Sequence, residues 1–188
     1  MMNDIIAEAK AKKECLGFYT NEEQPTNFLC GYPLEVSKDA LIVASIAPNG
    51  MYDGYIYLEK DCIFQIESNT RYIENIEQLY AFHKKTHKAI ECKNDLLARS
   101  LLEFARREGY MVSVELFHLE VKDICGFVQT CSQDEVVIQL FNLDGEEDGT
   151  AVFCYETISA ISCDTEDEIK MRLIHEIRER EKRSDSFC

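Results

Sequence analysis

Two histidines four residues apart, His83 and His87, have the spacing that first suggests chemistry. On one face of a helix, two imidazoles at this spacing can hold a zinc ion, and Cys92 would follow a turn further on. No glutamate stands between the histidines to act as a base. Because residues 84–88 also include three lysines, which would repel a cation, a solvated helix surface is favoured over a metal site.

The cysteines are a second source of chemistry. Cys30 and Cys125 occupy identical positions in two related stretches of the chain, each directly before a glycine. A catalytic thiol needs a nearby base or positive field, and no histidine recurs at an equivalent place in both stretches. The nine cysteines are odd in number and contain no Cys-x-x-Cys pair. We therefore predict reduced, buried thiols with a structural role.

Two glycine-bounded turns, Asn49–Gly54 and Asp144–Gly149, invite a calcium hypothesis. The second turn carries four carboxylates in six residues, but the first carries only one. A calcium-binding helix–loop–helix would need a loop of twelve residues between flanking helices. Turn geometry, with glycine where φ is positive, explains what the two stretches share. We predict neither a metal site nor a cofactor.

Other catalytic signatures are absent from the sequence. It contains no phosphate-binding Gly-x-x-x-x-Gly-Lys, no Gly-x-Ser-x-Gly and no His-Glu-x-x-His. We therefore predict a protein that is not an enzyme and has no catalytic residues. A small-molecule enzyme with its site between two domains remains as a third hypothesis, since clefts between domains commonly bind ligands.

The formal charge of −15 bears on the class of partner. It disfavours a general affinity for nucleic-acid backbones, which requires lysine and arginine, and it suits either a basic partner or simply a highly soluble protein. The longest apolar run, Ala40 to Ala47, is too short to cross a bilayer, and the first residues lack the features of a signal peptide. We expect a cytoplasmic protein that does not contact membranes.

A long internal repeat places these residues on a common framework. The stretch from Leu29 to Thr70 returns without a gap between Ile124 and Thr165. The matched positions are mainly glycines, turn acids and core aliphatic residues, among them Cys30-Gly31 with Cys125-Gly126, Gly50 with Gly145, and Asp53-Gly54 with Asp148-Gly149. Such residues build folds, so we expect function where the copies differ, as at Tyr52 against Glu147 and at Glu59-Lys60 against Cys154-Tyr155.

The elements follow from hydrophobic alternation and turn residues. A short helix precedes a first strand, at Leu16–Thr20 in one copy and 111–121 in the other, and four more short strands follow. A helix closes each copy, opened in the second by a capping box of Thr165 and Glu168. The segment after the first closing helix lacks proline and glycine, so we expect it to continue that helix. The predicted domains are residues 1–91 and 92–188.

A leading helix followed by five short, bent antiparallel strands resembles the SH3-like small barrel of the Sm-like family. The resemblance predicts a mainly β fold of two tandem repeats, each a helix, a five-stranded bent antiparallel barrel and a second helix. Asp39 and Asp134 match the aspartate of the family's first motif, but no asparagine follows them. Leu58-Glu59-Lys60 and Phe153-Cys154-Tyr155 stand where the second motif would end in Ile-Arg-Gly.

These departures fall on the residues by which Sm-like proteins bind uridine-rich RNA, so no RNA-binding residue carries over. Binding of single-stranded nucleic acid (RNA) by one barrel face is the alternative function. It would require a local basic patch, for which the best candidates are Lys84, Lys85, Lys88, Arg106 and Arg107.

Our leading hypothesis is a non-enzymatic protein-interaction module, of the kind found among acidic inhibitor or immunity-type proteins. Its expected partner is a protein, a basic one in particular, and a homodimer is compatible with the sequence. Negative charge and exposed tyrosine would form the interaction surface. The candidate residues of that surface are Tyr52, Tyr55, Glu59, Lys60, Glu146, Glu147 and Tyr155.

Overall fold

The computed structural model describes residues 1–23, 28–84, 86–92, 96–117 and 124–185. Their fold is mainly β, with helices flanking the strands at both ends, which confirms this part of the expected fold class. The first half contains α1 (Met2–Lys12), β1 (Leu16–Tyr19), β2 (Leu29–Val36), β3 (Ala40–Ile46), β4 (Tyr52–Glu59), β5 (Gln65–Ser68) and α2 (Arg71–His83). The second half contains α3 (Leu97–Glu108), β6 (Met111–Leu116), β7 (Ile124–Cys131), β8 (Glu135–Phe141), β9 (Glu147–Cys154), β10 (Ile158–Cys163) and α4 (Glu166–Asp185).

Contacts divide the chain into two compact units, Met1–Leu101 (unit 1) and Leu102–Cys188 (unit 2). In unit 1 the strands are ordered β5-β1-β2-β3-β4, with every adjacent pair antiparallel. In unit 2 the order is β10-β6-β7-β8-β9, again antiparallel throughout. The predicted domain limits, 1–91 and 92–188, stay a prediction.

The three central strands of the two units begin and end at matching positions of the sequence repeat. β2, β3 and β4 have the same lengths as β7, β8 and β9. Irregularities in the pairing also coincide, between Pro33 and Glu35 in β2 and between Val128 and Thr130 in β7. Such bulges bend a strand and increase its twist. The chain bends after the fourth strand of each unit through one turn of 3-10 helix.

Two pairs of glycines explain why the repeat keeps its backbone geometry. A Cβ atom on Gly31 would collide with the carbonyl oxygen of Ala44 on the neighbouring strand, and one on Gly126 would collide with that of Gln139. Gly50 and Gly145 have positive φ values, 76° and 75°, in the turn after the third strand of each unit. Both turns pack against the closing helix, so a side chain at either glycine would also strike that helix.

Buried aliphatic residues form the core of each unit. In unit 1, Ile6 and Ala9 of α1 pack on the strands, and Ile73 and Ile76 of α2 form a second cluster with Ile46. All seven residues of β3 are buried, as predicted by a sequence that is apolar except for Ser45. The buried strand residues of unit 2 include Val112, Val114, Val136, Ile138 and Ile161.

The structure corrects the expected course of the chain after the first closing helix. α2 ends at His83, and Lys84 has the left-handed conformation with φ 57°. Residues 86–92 form neither helix nor strand, so the prediction of a continued helix is wrong. Residues 118–121 of the predicted long strand lie outside the described residues. No helix among the described residues has the length and apolar character needed to cross a membrane, and the cytoplasmic location stays a prediction.

Candidate interaction surface

The turn between β8 and β9 is held in one shape by hydrogen bonds around Asn142. Its Oδ1 atom accepts the backbone N–H groups of Asp144 and Glu146, at 3.0 and 3.1 Å. The N–H of Gly145 donates to the carbonyl oxygen of Asn142 at 2.9 Å. Nδ1 of His175 on α4 donates to the carbonyl oxygen of Gly145 at 3.1 Å. The closing helix and the asparagine therefore fix the backbone from which the next side chains project.

Those side chains combine negative charge with an exposed apolar residue. Leu143 is 88% exposed, and four exposed carboxylates follow it, on Asp144, Glu146, Glu147 and Asp148. None of the ion pairs found among the described residues involves these carboxylates. Residues 143–148, called the acidic turn below, thus present charge that no described lysine or arginine neutralises.

The strand that follows the acidic turn is also open to solvent. β9 is the last strand in its sheet order, and its first four residues, 147–150, are all exposed. Val152, in the middle of the strand, is 59% exposed. A strand at the end of a sheet carries backbone N–H and C=O groups that can pair with another chain. The acidic turn and β9 together form the candidate interaction surface.

In unit 1 the corresponding strand is covered by the chain itself. The His87 ring lies 4.5 Å from the ring of Tyr52 and 5.2 Å from that of Tyr55, between ring centroids. Nε2 of His87 donates to the carbonyl oxygen of Gly54 at 2.8 Å, and Nδ1 is hydrogen-bonded to the Tyr80 hydroxyl at 2.7 Å. Both ring nitrogens are thereby used within unit 1.

Further hydrogen bonds hold Lys88 against β4. The backbone N–H of Lys88 donates to the Tyr55 hydroxyl at 2.8 Å, and that hydroxyl donates to the Lys88 carbonyl oxygen at 3.3 Å. Tyr55 is fully buried, and Ile90 is buried as well. Glu147 and Thr150 occupy the places of Tyr52 and Tyr55 in the repeat, and both are exposed. The same part of the scaffold is therefore covered in unit 1 and open in unit 2.

The remaining candidates of the predicted surface lie beside the turn of 3-10 helix. Nζ of Lys60 donates to the Ser37 carbonyl oxygen at 2.6 Å, and the Tyr155 hydroxyl donates to the matching Ser132 oxygen at 3.3 Å. Glu59 is half-buried. Burial, reinforced by the Asp61 and Asp39 carboxylates, raises the pKa of Glu59 above its ordinary value.

The structure separates the predicted surface residues into three groups. Tyr55 and Tyr155 are buried, which corrects their assignment to an exposed surface, because their hydroxyls bond to backbone inside their own units. Tyr52 is half-buried and packs against His87. Glu59 and Lys60, beside the turn of 3-10 helix, are also half-buried. Glu146 and Glu147 are exposed together on the acidic turn. Whether the five accessible residues contact a partner stays a prediction.

The histidine pair does not have the geometry that its spacing suggests. His83 ends α2, and its Nε2 atom lies 3.3 Å from the carbonyl oxygen of Asn49, whereas His87 lies in the non-helical segment that follows. The assumed common helix face, with Cys92 one turn further on, is therefore wrong. Within the described part of the chain, no group of three or more histidine, cysteine, aspartate or glutamate side chains could hold a metal ion.

The basic residues considered for nucleic-acid binding are exposed but distributed over both units. Lys84 and Lys88 flank His87 in unit 1, and Arg106 and Arg107 lie near the end of α3 in unit 2. Nε of Arg107 donates to Glu108 at 3.3 Å, and its guanidinium lies over the Phe104 ring. Lys85 lies outside the described residues.

Unit 2 also contains a buried carboxylate, that of Glu168, which forms one of the two hydrogen bonds expected of the predicted capping box. Glu168 accepts the N–H of Thr165 at 3.0 Å and the hydroxyl of Ser113 at 2.6 Å. The Thr165 hydroxyl donates to the same carboxylate instead of accepting a backbone N–H. A polar cavity of about 140 Å³ adjoins this cluster. Because every one of these contacts is internal, Glu168 has a structural explanation.

Sequence reasoning found the acidic turn but missed the features that make it informative. The exposure of Leu143 and the covering segment around His87 depend on contacts between distant residues, and the only sequence signal was the disagreement of the copies at Tyr52 and Glu147. No protein-family model, curated protein or solved structure matches this chain.

Proposed function

We propose that this protein is a non-enzymatic interaction module built from two Sm-like barrel units. In this proposal, unit 2 binds an extended, lysine- or arginine-containing segment of a partner protein along the acidic turn and β9. The family resemblance is supported by the order of elements, a helix before five short antiparallel strands and a helix after them. The bulges and the single 3-10 turn before the last strand fit strongly bent, barrel-like sheets.

The observation that carries the proposal is the covering segment of unit 1. Residues 84–88 read Lys-Lys-Thr-His-Lys. His87 and Lys88, which lie in a stretch without helical or strand structure, contact the first half of β4. This scaffold thus binds part of an irregular segment of basic sequence at one of its two equivalent places. At the other place β9 is open, so we infer that a similar segment from another protein fills it.

The side chains of the open place favour a lysine or arginine cation over the imidazole that lies at the matching place in unit 1. Tyrosine rings contact His87, but Glu147 stands where Tyr52 lies, and three further carboxylates surround Glu147. Lysine or arginine would gain charge-assisted hydrogen bonds there. Leu143 and Val152 offer apolar surface to the same segment. Such recognition, in which backbone pairing supplies affinity and side chains supply specificity, is a known mode of peptide binding.

Affinity capture from the native host, with a charge-matched pair of variants, tests the proposal. The first variant replaces the four carboxylates of the acidic turn by amides (Asp144→Asn, Glu146→Gln, Glu147→Gln, Asp148→Asn). The control replaces four exposed carboxylates of unit 1 (Glu22→Gln, Glu23→Gln, Asp61→Asn, Glu74→Gln), so that both variants change the net charge equally. Bound proteins are identified by mass spectrometry, and nucleic acid in the same eluate is sequenced.

We expect a protein partner that the wild type and the control retain and that the acidic-turn variant loses at least tenfold. Added salt should release the partner, because ionic attraction is screened. Equal loss from both variants would mean that net charge alone attracts the partner, and retention by both would exclude the acidic turn. Nucleic acid in place of protein would favour the alternative function. A second copy of this chain as the only bound protein would show self-association instead.

A further inference from the structure

Two buried cysteines of unit 1 lie close enough to react with each other. The Sγ atoms of Cys15 and Cys30 are 3.4 Å apart, and both residues are at most 5% exposed. Gly17 of β1 pairs with Cys30 of β2, and Cys15 lies two residues before Gly17. Side chains two residues apart project from the same face of a sheet, so the two thiols are diagonal neighbours across adjacent strands.

A shared hydrogen bond and a nearby helix hold the two thiols together. Either sulfur can be the donor of that hydrogen bond. Oε1 of Glu77 on α2 accepts the backbone N–H of Cys15 at 3.0 Å and so holds that residue in place. The sulfur that accepts the shared hydrogen bond is the better nucleophile, and its neighbour is close enough to complete a disulfide with it.

We propose that Cys15 and Cys30 form an oxidation site at which a small peroxide converts the two thiols to an intramolecular disulfide. One of the two sulfurs attacks a peroxide oxygen, the O–O bond breaks, a sulfenic acid forms on that cysteine, and one water is released. The sulfur of the other thiol then attacks the sulfenic acid, the S–S bond forms, and the hydroxyl group leaves with the thiol proton as a second water. The two thiols lose two protons and two electrons, which the peroxide takes up in becoming two waters.

The repeat explains why this site belongs to unit 1. Ser113 of β6 pairs with Cys125 as Gly17 pairs with Cys30, so Met111 occupies the place of Cys15 in unit 2. Forming the disulfide shortens the distance between the sulfur atoms from 3.4 Å to about 2.05 Å. The resulting bond would link β1 to β2 beneath α2. This inference does not depend on the proposed function.

Peptide mapping of the full chain after treatment with hydrogen peroxide tests the site. Trypsin cleaves after Lys13 and Lys38, so residues 14–38 form one peptide that contains Cys15 and Cys30 and no other cysteine. We expect this peptide to become two hydrogen atoms lighter and to resist alkylation until it is reduced by dithiothreitol. The oxidised protein should also unfold at a higher temperature than the reduced protein, because a cross-link restricts the unfolded chain.

Three variants make the result specific. Cys15→Ser and Cys30→Ser should each abolish the mass loss, whereas Cys125→Ser should leave it unchanged. Exposed Cys62 lies in a separate tryptic peptide, residues 61–71, and reports that the peroxide reached the protein. Addition of oxygen atoms to peptide 14–38, a disulfide between chains, or no change while Cys62 is oxidised would each overturn the proposal, and the wild-type measurement requires no variant to fold.

Discussion

The regions beneath the two closing helices share one backbone arrangement but differ in polarity, because the contact is apolar in unit 1 and polar in unit 2. In unit 1 the glycine at Gly17 faces buried Ile73, whose N–H is capped by Thr70. In unit 2 the matching positions are Ser113 and Glu168, joined by a hydrogen bond of 2.6 Å. An apolar contact and a buried carboxylate thus support the same junction of strand and helix. The turns and close glycine contacts define this scaffold, and the intervening side chains are free to differ.

The outer surface shows a second difference. Tyr52 and Tyr55 are covered by His87 and Lys88 in unit 1, whereas Glu147 and Thr150 are exposed in unit 2. Unit 1 uses this place for a contact within the chain. We regard the exposed counterpart as the place where the chain meets another molecule.

The largest expected effects come from the glycines that both units share. Gly31→Ala and Gly126→Ala each force a Cβ atom against a carbonyl oxygen of the next strand, and we expect each to lower the free energy of unfolding by about 3 kcal/mol. Gly109→Ala is the control, because nothing lies within 4 Å of its added Cβ atom and only the positive φ of 69° is unfavourable. That variant should cost about 1 kcal/mol. Denaturant titration measures the unfolding free energy of all three variants. If Gly31→Ala and Gly126→Ala cost no more stability than Gly109→Ala, the shared steric constraint is contradicted.

Exchanging the chemistry of the two junctions should have a smaller effect. Glu168→Ile alone leaves the Ser113 hydroxyl without its acceptor and should destabilise the protein by about 2 kcal/mol. Adding Ser113→Gly recreates the Gly17–Ile73 pair and lets Thr165 cap the helix as Thr70 does. We expect the double variant to recover at least about 1 kcal/mol of that loss. A double variant less stable than the single one would show that the junctions are not interchangeable.

A third comparison between the units concerns how stability depends on pH in alkaline solution. Burial, reinforced by Glu59 and Asp39, raises the pKa of Tyr57 to about 12 from the ordinary value of 10.0, whereas the matching residue of unit 2 is exposed Val152. Because the folded protein disfavours the tyrosinate, its contribution to stability is complete below pH 10.0 and is lost as the pH rises towards about 12. Tyr57→Phe should flatten the fall in unfolding free energy across this window. An unchanged slope would contradict the burial of this phenol.

The smallest effect on stability is expected from the acidic turn itself. Neutralising its four exposed carboxylates breaks no ion pair among the described residues, so the free energy of unfolding should change by at most about 0.5 kcal/mol. A similar thermal midpoint for this variant, its unit 1 control and the wild type would separate binding from folding. Strong destabilisation would instead assign the four residues a structural role.

The sequence predicted those features that local chemistry determines. The bounds of β3, Ala40–Ile46, follow from a run between polar turns that is apolar except for Ser45, and the turn glycines follow from the need for positive φ. The segment around His87 could not be predicted in the same way. Its residues are compatible with a helix, and the left-handed Lys84 together with packing against Tyr52 and Tyr55 overrides that preference.

The oxidation site illustrates the same limit. Cys30 was visible as a repeated cysteine, but Cys15 lies outside the aligned stretch, and the pair forms only when β1 and β2 align. The four carboxylates of the acidic turn are evident from the order of its residues. Its contrast with the covered turn of unit 1 required the positions of residues distant in the chain.

Amide hydrogen exchange along β4 and β9, in the isolated protein and in the captured complex, tests the central claim most directly. In the isolated protein we expect slow exchange in Tyr52–Glu59 and fast exchange of the amides of Glu147–Cys154 that do not pair with β8. Partner binding should slow exchange in β9 and leave β4 unchanged. Unaltered exchange in β9 with new protection at other exposed strands or helices would contradict the assignment of this surface.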